Sequence, residues 1–537
     1  MRGAGRISGV EKHVRGPDTR CQMKRALTRW LRIGAATLVV ASFLLGGTAR
    51  AQEITLTSRQ GDLVLTGRLV SFDGRFVRIE SDYGPLTVDY DDVACAGDGC
   101  PDAADYVPTL RVSGTPRIAQ VLFPALLDGF ARARGWSTLQ QETDLTHQTF
   151  RLMDEAEVAQ LIVSIRASSS SEGFADLVSF EADAALSYRE ASADERARVQ
   201  EVGLGDLRGL GQTAILGIDA LVPIVSPLNP VRTIDPALLD AAFTGARTAW
   251  EDGTPITLHL GPSGDGQAQA FITALSDEVA GVTRHADPDA LAAAVAADPG
   301  ALGLTALGDT GVAQPLSLRD SCGLTAAPLL TGIKTQDYPL TTPVFVTLSQ
   351  TRQAPVVREF LRFLREPEAH LIIRRAGLVD LGVVPIPLDA QGGRLAHAIG
   401  IAGTDTPLRE LQRMVRLMRA HARASLTFRF EIGQSTLDPV SSANLLTLAH
   451  DIRAGNYAGR DILLIGFSDG AGPADANLDL SRDRAARIRE RLMELLGAVP
   501  EDVRLRTAAF GEALPMGCDD TAWGRQMNRR VEVWIGD

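Results

Sequence analysis

The sequence predicts a multi-domain α/β protein with a small N-terminal β domain, a large central α/β domain and a smaller C-terminal α/β domain. Three observations carry this. At 537 residues with 45% hydrophobic composition, the chain is long enough for three or four globular domains. From Ile54 to Val88, apolar and polar residues alternate in short runs separated by turn-forming stretches. From about residue 106 onward, strand-like and helix-like runs alternate, the pattern of sheets covered by helices.

The first 51 residues read as something other than fold. Met23-Lys24-Arg25 opens a basic region, 33–49 is apolar, and Ala49-Arg50-Ala51 offers a small-residue cleavage site. This is the layout of a secretory signal starting at Met23 and cleaved after Ala51, with an uncleaved anchor as the alternative. Residues 1–51 hold ten basic and two acidic side chains, so the remainder carries a net charge of −20 against −12 for the whole chain. A chain this acidic is poorly suited to nucleic acid or anionic lipid, and any anion site must be built locally against the overall field.

In the N-terminal part, 52–102, the alternating set is Ile54, Leu56, Leu63, Leu65, Leu69, Val77, Ile79, Leu86 and Val88, with turns at Asp73-Gly74 and Tyr83-Gly84. A meander of short strands able to close into a small barrel is expected. Cys95 and Cys100 bracket a Gly-rich turn and could close a small loop in an oxidising compartment. Cys322 and Cys518 are left either as a bridge or as two free thiols, and the five cysteines fit no metal pattern.

The central domain is placed at 106–390. A strand at 110–115 enters a helix with Ile118, Leu122, Leu126 and Phe130 on its apolar face, a turn that offers backbone N–H groups to an anion. Gly392-Gly393 marks a linker. A helical connector occupies 391–424, and its Met414 and Met418 read as core filler. The C-terminal domain, 425–537, is read as a strand at 426–430, a helix near 442–454, a strand at 461–467, a helix from about Ser481, and strands near 503–507 and 530–534. Arg484 then falls in a first helical turn, where the dipole disfavours a cation unless a carboxylate or anionic ligand is near.

Three C-terminal motifs carry a resemblance: GFSDGAGPADANLDLSRDRA from Gly466, FGEALP at 510–515 and GRQMNRRVEVW at 524–534. Their order and spacing resemble an OmpA-like domain, the peptidoglycan-binding α/β sandwich of Gram-negative envelopes. The resemblance implies that Asp469 and Arg484 hold the diaminopimelate of the cell-wall peptide. Asp469 would accept from its ammonium, and Arg484 would grip its carboxylate as a fork. Asn477 and Asn528 join them as candidates, Asn528 as a ligand contact. Arg529 and Arg530 alternate in a strand, so only one of them can face the site.

The central motifs GIDALVPIVSPLNPV (217–231), AAFTGARTAW (241–250), LHLGPSGDGQAQAF (258–271), DPGALGLTALG (298–308) and DYPLTTPVFVTL (337–348) occur in the order seen in periplasmic phosphate-binding proteins of ABC importers. This resemblance implies a two-lobed domain holding an anion with hydroxyls, helix-start N–H groups and charged side chains. The candidates are Ser113, Gly114, Thr115, Ser187, Arg189, His259, Ser263, Gly264 and Asp265. His259 stands where the family often has Arg, and Asp265 where it has Thr, so phosphate is the family default only.

No nucleophile–base set, HExxH or Cys/His cluster is present, so no enzyme and no cofactor is expected. The function expected is a periplasmic, wall-anchored solute-binding protein that captures a small anion such as phosphate and binds peptidoglycan. The alternative is a structural envelope protein whose central domain no longer binds a solute. Association with the outer membrane or an ABC transporter is left open.

Overall fold

The computed structural model describes residues 53–537 apart from 62, 104, 210–211, 263–280, 350–351, 404–405 and 431–436. It falls into two compact units, one comprising the described chain up to Ser71 with Val77–Cys100 and the other comprising Phe72–Phe76 with Pro101–Asp537. In the first, the strands run across the sheet as Gly84–Asp89, Phe76–Ser81, Val64–Phe72, Glu53–Ser58 and Val93–Ala96. Ile54, Leu56, Val77 and Ile79 fill its buried face, two residues apart on each strand, as the alternation requires. Leu63, counted in the same pattern, is instead 55% exposed. Cys95 and Cys100 form a disulfide.

In the second unit a mixed sheet of eleven described strands runs through two hydrophobic cores. The first core gathers Leu110, Phe123, Phe130, Val163, Leu216, Phe360 and Leu378, with Phe130 and Phe123 both edge-to-face on Phe360 at 5.4 Å. The second gathers Ile218, Phe243, Trp250, Leu304, Tyr338 and Val379. The chain passes between them within the long strand Thr213–Val225, whose register against Thr341–Leu348 shifts between Ile215 and Gly217. These two strands are therefore the connection between two lobes. Thr109–Gly114 lies parallel to Ala159–Ala167 and Ala184–Ser187 in the first lobe, and Thr257–Leu260 lies parallel to Ala301–Ala306 in the second.

The C-terminal sheet has the order Pro385–Ile386, His421–Arg429, Arg530–Gly536, Asp461–Gly466, Arg504–Ala509. Helices Pro439–Arg453 and Ala474–Leu496 contribute Leu445, Leu448, Ile488 and Leu492 to the core on one face. Helix Leu408–Met418 covers the other, with Met414 and Met418 fully buried against a core that includes Leu463, Ile465 and Trp534. The two methionines are packing residues, and the connector is part of the sandwich.

The C-terminal domain is docked on both lobes. Val440 packs with Ile215 and Phe345 of the two connecting strands. Arg429 donates to the carbonyls of Thr335 (3.0 Å) and Gln336 (3.1 Å), and Arg423 grips Asp337 at 2.5 Å. Arg423, Arg429, Arg530 and Glu532 are each at most 3% exposed. Burial opposes ionisation of Glu532, but Arg394, Arg423 and Arg530 overcome it and hold its carboxyl below the usual range. Burial pushes Arg530 down to about 9. Cys322 and Cys518 form a disulfide, the bridge that the sequence left undecided.

Candidate functional site

The C-terminal site begins with the fully buried strand Asp461–Gly466, which delivers Phe467 and the loop that follows. Gly466 is required here, because a Cβ would lie 1.9 Å from the carbonyl oxygen of Ser481. The strand and helix thus touch backbone to backbone. The helix spans Ala474–Leu496, so the expected start near Ser481 is wrong by two turns. Arg484 is its eleventh residue, and the first-turn dipole argument does not apply to it. The early turns were hidden because their inward residues are polar. Asn477 and Ser481 are buried against the turn at 510–512: Asn477 donates to Glu512 (3.0 Å), and Ser481 Oγ accepts from the Gly511 N–H (3.0 Å).

Asp469 is 8% exposed and accepts from Arg529 Nη1 at 2.9 Å. Arg484 lies beside this pair, with its guanidinium 5.8 Å from the centre of the Phe430 ring. Its Nη1 is buried and has no hydrogen-bond partner among the described residues. Burial, with Arg529 adding to it, pushes Arg484 below its ordinary value despite Asp469. Two guanidiniums therefore face one carboxylate, and a donor is left over. An incoming carboxylate would answer both deficits.

Two assignments change. Asn528 Oδ1 accepts from the N–H groups of Met516 (2.6 Å) and Gly517 (3.2 Å), and its Nδ2 donates to the Gly517 carbonyl and to Asp519, both at 2.8 Å. Its amide is fully used in shaping 516–519, against the expected ligand contact. Asn477 is 1% exposed and its amide donates to Glu512. Arg529, which sequence reading placed only in support, is the direct partner of Asp469. Arg529 closes helix Ala522–Asn528 and the strand begins only at Arg530, so the two do not alternate within one strand as expected; Arg530 points inward to Glu532 and the Leu514 carbonyl, both at 2.8 Å.

In the central domain, Ser113, Gly114, Thr115, Ser187 and Arg189 are brought together at the carboxyl ends of the parallel strands Thr109–Gly114 and Ala184–Ser187. Gly114 has φ of 154°, and a Cβ there would sit 2.0 Å from the Leu186 carbonyl oxygen. The polar groups face inward. Ser113 Oγ bonds Ser168 Oγ (2.9 Å), Thr115 Oγ1 donates to the Leu186 carbonyl (3.4 Å), and Ser187 Oγ donates to the Arg189 carbonyl (2.7 Å). Arg189 forks onto Glu195 at 2.7 and 2.8 Å and also donates to Ser171. Its charge is matched locally, against the expectation that it supplies charge to an anion.

His259 lies in the other lobe, on Thr257–Leu260, with Nδ1 2.9 Å from His285 Nε2. Burial, helped by His285, lowers its pKa, so it is neutral at neutral pH. Ser263, Gly264 and Asp265 lie outside the described residues. Arg117, two residues beyond Thr115, donates to Asp309 of the second lobe and ties the lobes together. Among the described residues there is no group of three or more metal-type ligands, and no helix is long and apolar enough to cross a membrane.

Residues 103–368 match the PBP superfamily domain and residues 429–529 match the OmpA family. The chain thus carries a domain of each kind. Over 113 residues it is 33% identical to outer membrane porin F of Pseudomonas fluorescens, covering 21% of this chain and 33% of that protein. Over 106 residues it is 31% identical to the probable lipoprotein YiaD of Escherichia coli, covering 20% and 46%. The chain therefore spans less than half the length of these relatives. Among solved structures, an ABC-type phosphate transport receptor from Vibrio cholerae aligns at 17% identity and TM-score 0.40, over 50% of this chain and 99% of that one. The peptidoglycan-associated lipoprotein from Burkholderia pseudomallei aligns at 24% identity and TM-score 0.18, over 20% and 88%.

Proposed function

We propose that this is a periplasmic envelope protein that binds the diaminopimelate-containing peptide of peptidoglycan through Asp469, Arg484 and Arg529. The central domain is held as a fixed body behind that site. The observation that carries the reading is the buried, unpartnered Nη1 of Arg484 beside a carboxylate already shared with Arg529. Arg484 receives the ligand carboxylate, and Asp469 accepts from the ligand ammonium on its remaining lone pairs. Binding needs no catalysis and no cofactor. The OmpA-family match and the relatives named for outer-membrane proteins support an envelope location. Co-sedimentation of the intact protein with purified peptidoglycan tests the reading. Arg484→Ala should remove the protein from the pellet, and unchanged pelleting would sink the assignment.

A second reading, capture of a small anion such as phosphate in the central cleft, is favoured by the hydroxyl pair of Ser113 and Ser168 next to the start of helix Ser170–Val178. The Arg189–Glu195 fork and the Arg117–Asp309 tie weigh against it. Phosphate titration followed by thermal unfolding separates the two, because a native-state ligand raises the melting temperature in a saturable way.

A further inference from the structure

We infer that the turn at 320–322 of the central domain is a positioning element for the wall-peptide site, acting through the loop 516–520. The inference rests on the wall-binding reading above.

The connection is a continuous series of bonds. Cys322 is joined to Cys518, the Cys518 N–H donates to Asp320 Oδ2 (2.8 Å), and Ser321 Oγ donates to Asp520 (2.5 Å). Three successive residues of one domain thus hold two residues of the other, Cys518 and Asp520, on either side of Asp519. Asp519, in the middle of the held loop, accepts the Gly470 N–H on Oδ2 at 2.8 Å and Asn528 Nδ2 on Oδ1 at 2.8 Å. Gly470 follows Asp469 directly, and Asn528 precedes Arg529, so Asp519 grips the chain on both sides of the Asp469–Arg529 pair. Room at this contact is small: a Cβ on Gly470 would lie 2.8 Å from Asp519 Oδ2. A shift of the loop therefore moves Gly470 and, with it, the carboxylate that meets the ligand.

The loop is anchored from both domains, and the anchors fall on different atoms. Arg525 donates to the Asp519 carbonyl and Asn528 shapes 516–519, but the Cys518 N–H and the Cys518 side chain are both committed to the central domain. The site's geometry thus depends on the second lobe, the lobe to which 320–322 belongs.

The test uses the full-length protein and a soluble muropeptide containing diaminopimelate. Affinity is measured by calorimetry, and amide hydrogen exchange is followed over the segment containing Gly470. Asp320→Ala, with the disulfide intact, should weaken binding by about fivefold, the size expected for one lost positioning hydrogen bond. It should also speed exchange at Gly470 while the melting temperature stays near that of the parent. Cys322→Ser/Cys518→Ser should weaken binding at least as much. Arg484→Ala is the reference. If it binds like the parent, the wall-binding reading itself fails. If it loses binding while Asp320→Ala and the double serine variant keep parental affinity and Gly470 protection, the wall-binding reading stands and the positioning role is overturned.

Discussion

Two arginines set the two candidate sites apart. Arg189 was expected to serve an anion in the central domain, and its guanidinium is forked onto Glu195. Arg484 was expected to serve the wall peptide, and one of its nitrogens is buried without a partner among the described residues. Leaving a cation donor unsatisfied in a buried position costs free energy, and a fold keeps such a feature only where something else offsets it. Arg423 and Arg429 also keep a buried Nε without a hydrogen-bond partner among the described residues, but their terminal nitrogens are taken by Asp337 and by backbone carbonyls, whereas at Arg484 it is a terminal nitrogen that is left open. Hydroxyl placement gives the same contrast at Thr115 and Ser187, which both donate to carbonyls of their own lobe.

This contrast can be broken by substitution. The largest effect is expected at an arginine that the fold answers and buries. Arg423→Ala strips Asp337 of its 2.5 Å partner and should lower stability by about 3–5 kcal/mol, measured by chemical denaturation. Arg484→Ala should do the reverse, reducing muropeptide affinity by about a hundredfold with little loss of stability. If it unfolds the protein instead, Arg484 is structural and the contrast is false. Arg189→Ala, at a partly exposed fork, should cost under about 1 kcal/mol. A phosphate-dependent rise in melting temperature that is present in the parent and lost in Arg189→Ala would show that the Glu195 fork opens for a ligand.

Acid sharpens the same point. Glu532 and Asp337 have folded-state values below their ordinary 4.5 and 3.8, so their contribution is present above those values and lost as pH falls through the lower folded ones. A denaturation series from pH 6 downward should show stability falling below about pH 4.5, the ordinary carboxylate range. Glu532→Gln should flatten that fall. His259, with its value lowered, works on a different window: its protonation disfavours the fold only as pH drops below its ordinary 6.5.

The sequence made the architecture readable where periodicity and motif order coincide. The alternation at Ile54, Leu56, Val77 and Ile79 and the strand–turn–helix at 110–130 correspond to observed elements. Asp469 and Arg484 were legible because the polar turn and the three closing motifs keep a fixed order. Less legible was anything set by long-range burial. The helix begins at Ala474 because Asn477 and Ser481 face the turn at 510–512, and a search for apolar spacing passes over such residues. Nothing in HARASLTFR announces that Arg423 and Arg429 lie buried against another domain. A bridge between cysteines separated by 196 positions has no local signature at all.

The strand order of the C-terminal sheet has a consequence for how the chain is made. Arg530–Gly536 is the last of the five strands in sequence and the central one in space, hydrogen-bonded to His421–Arg429 on one side and Asp461–Gly466 on the other. One edge strand, Pro385–Ile386, comes from the end of the central domain. During synthesis the outer strands emerge first, as two pairs that nothing joins to each other until residue 530 and those after it appear. A nascent chain stopped before that point holds two separated half-sheets with open edges, the state most exposed to mispairing with a neighbour.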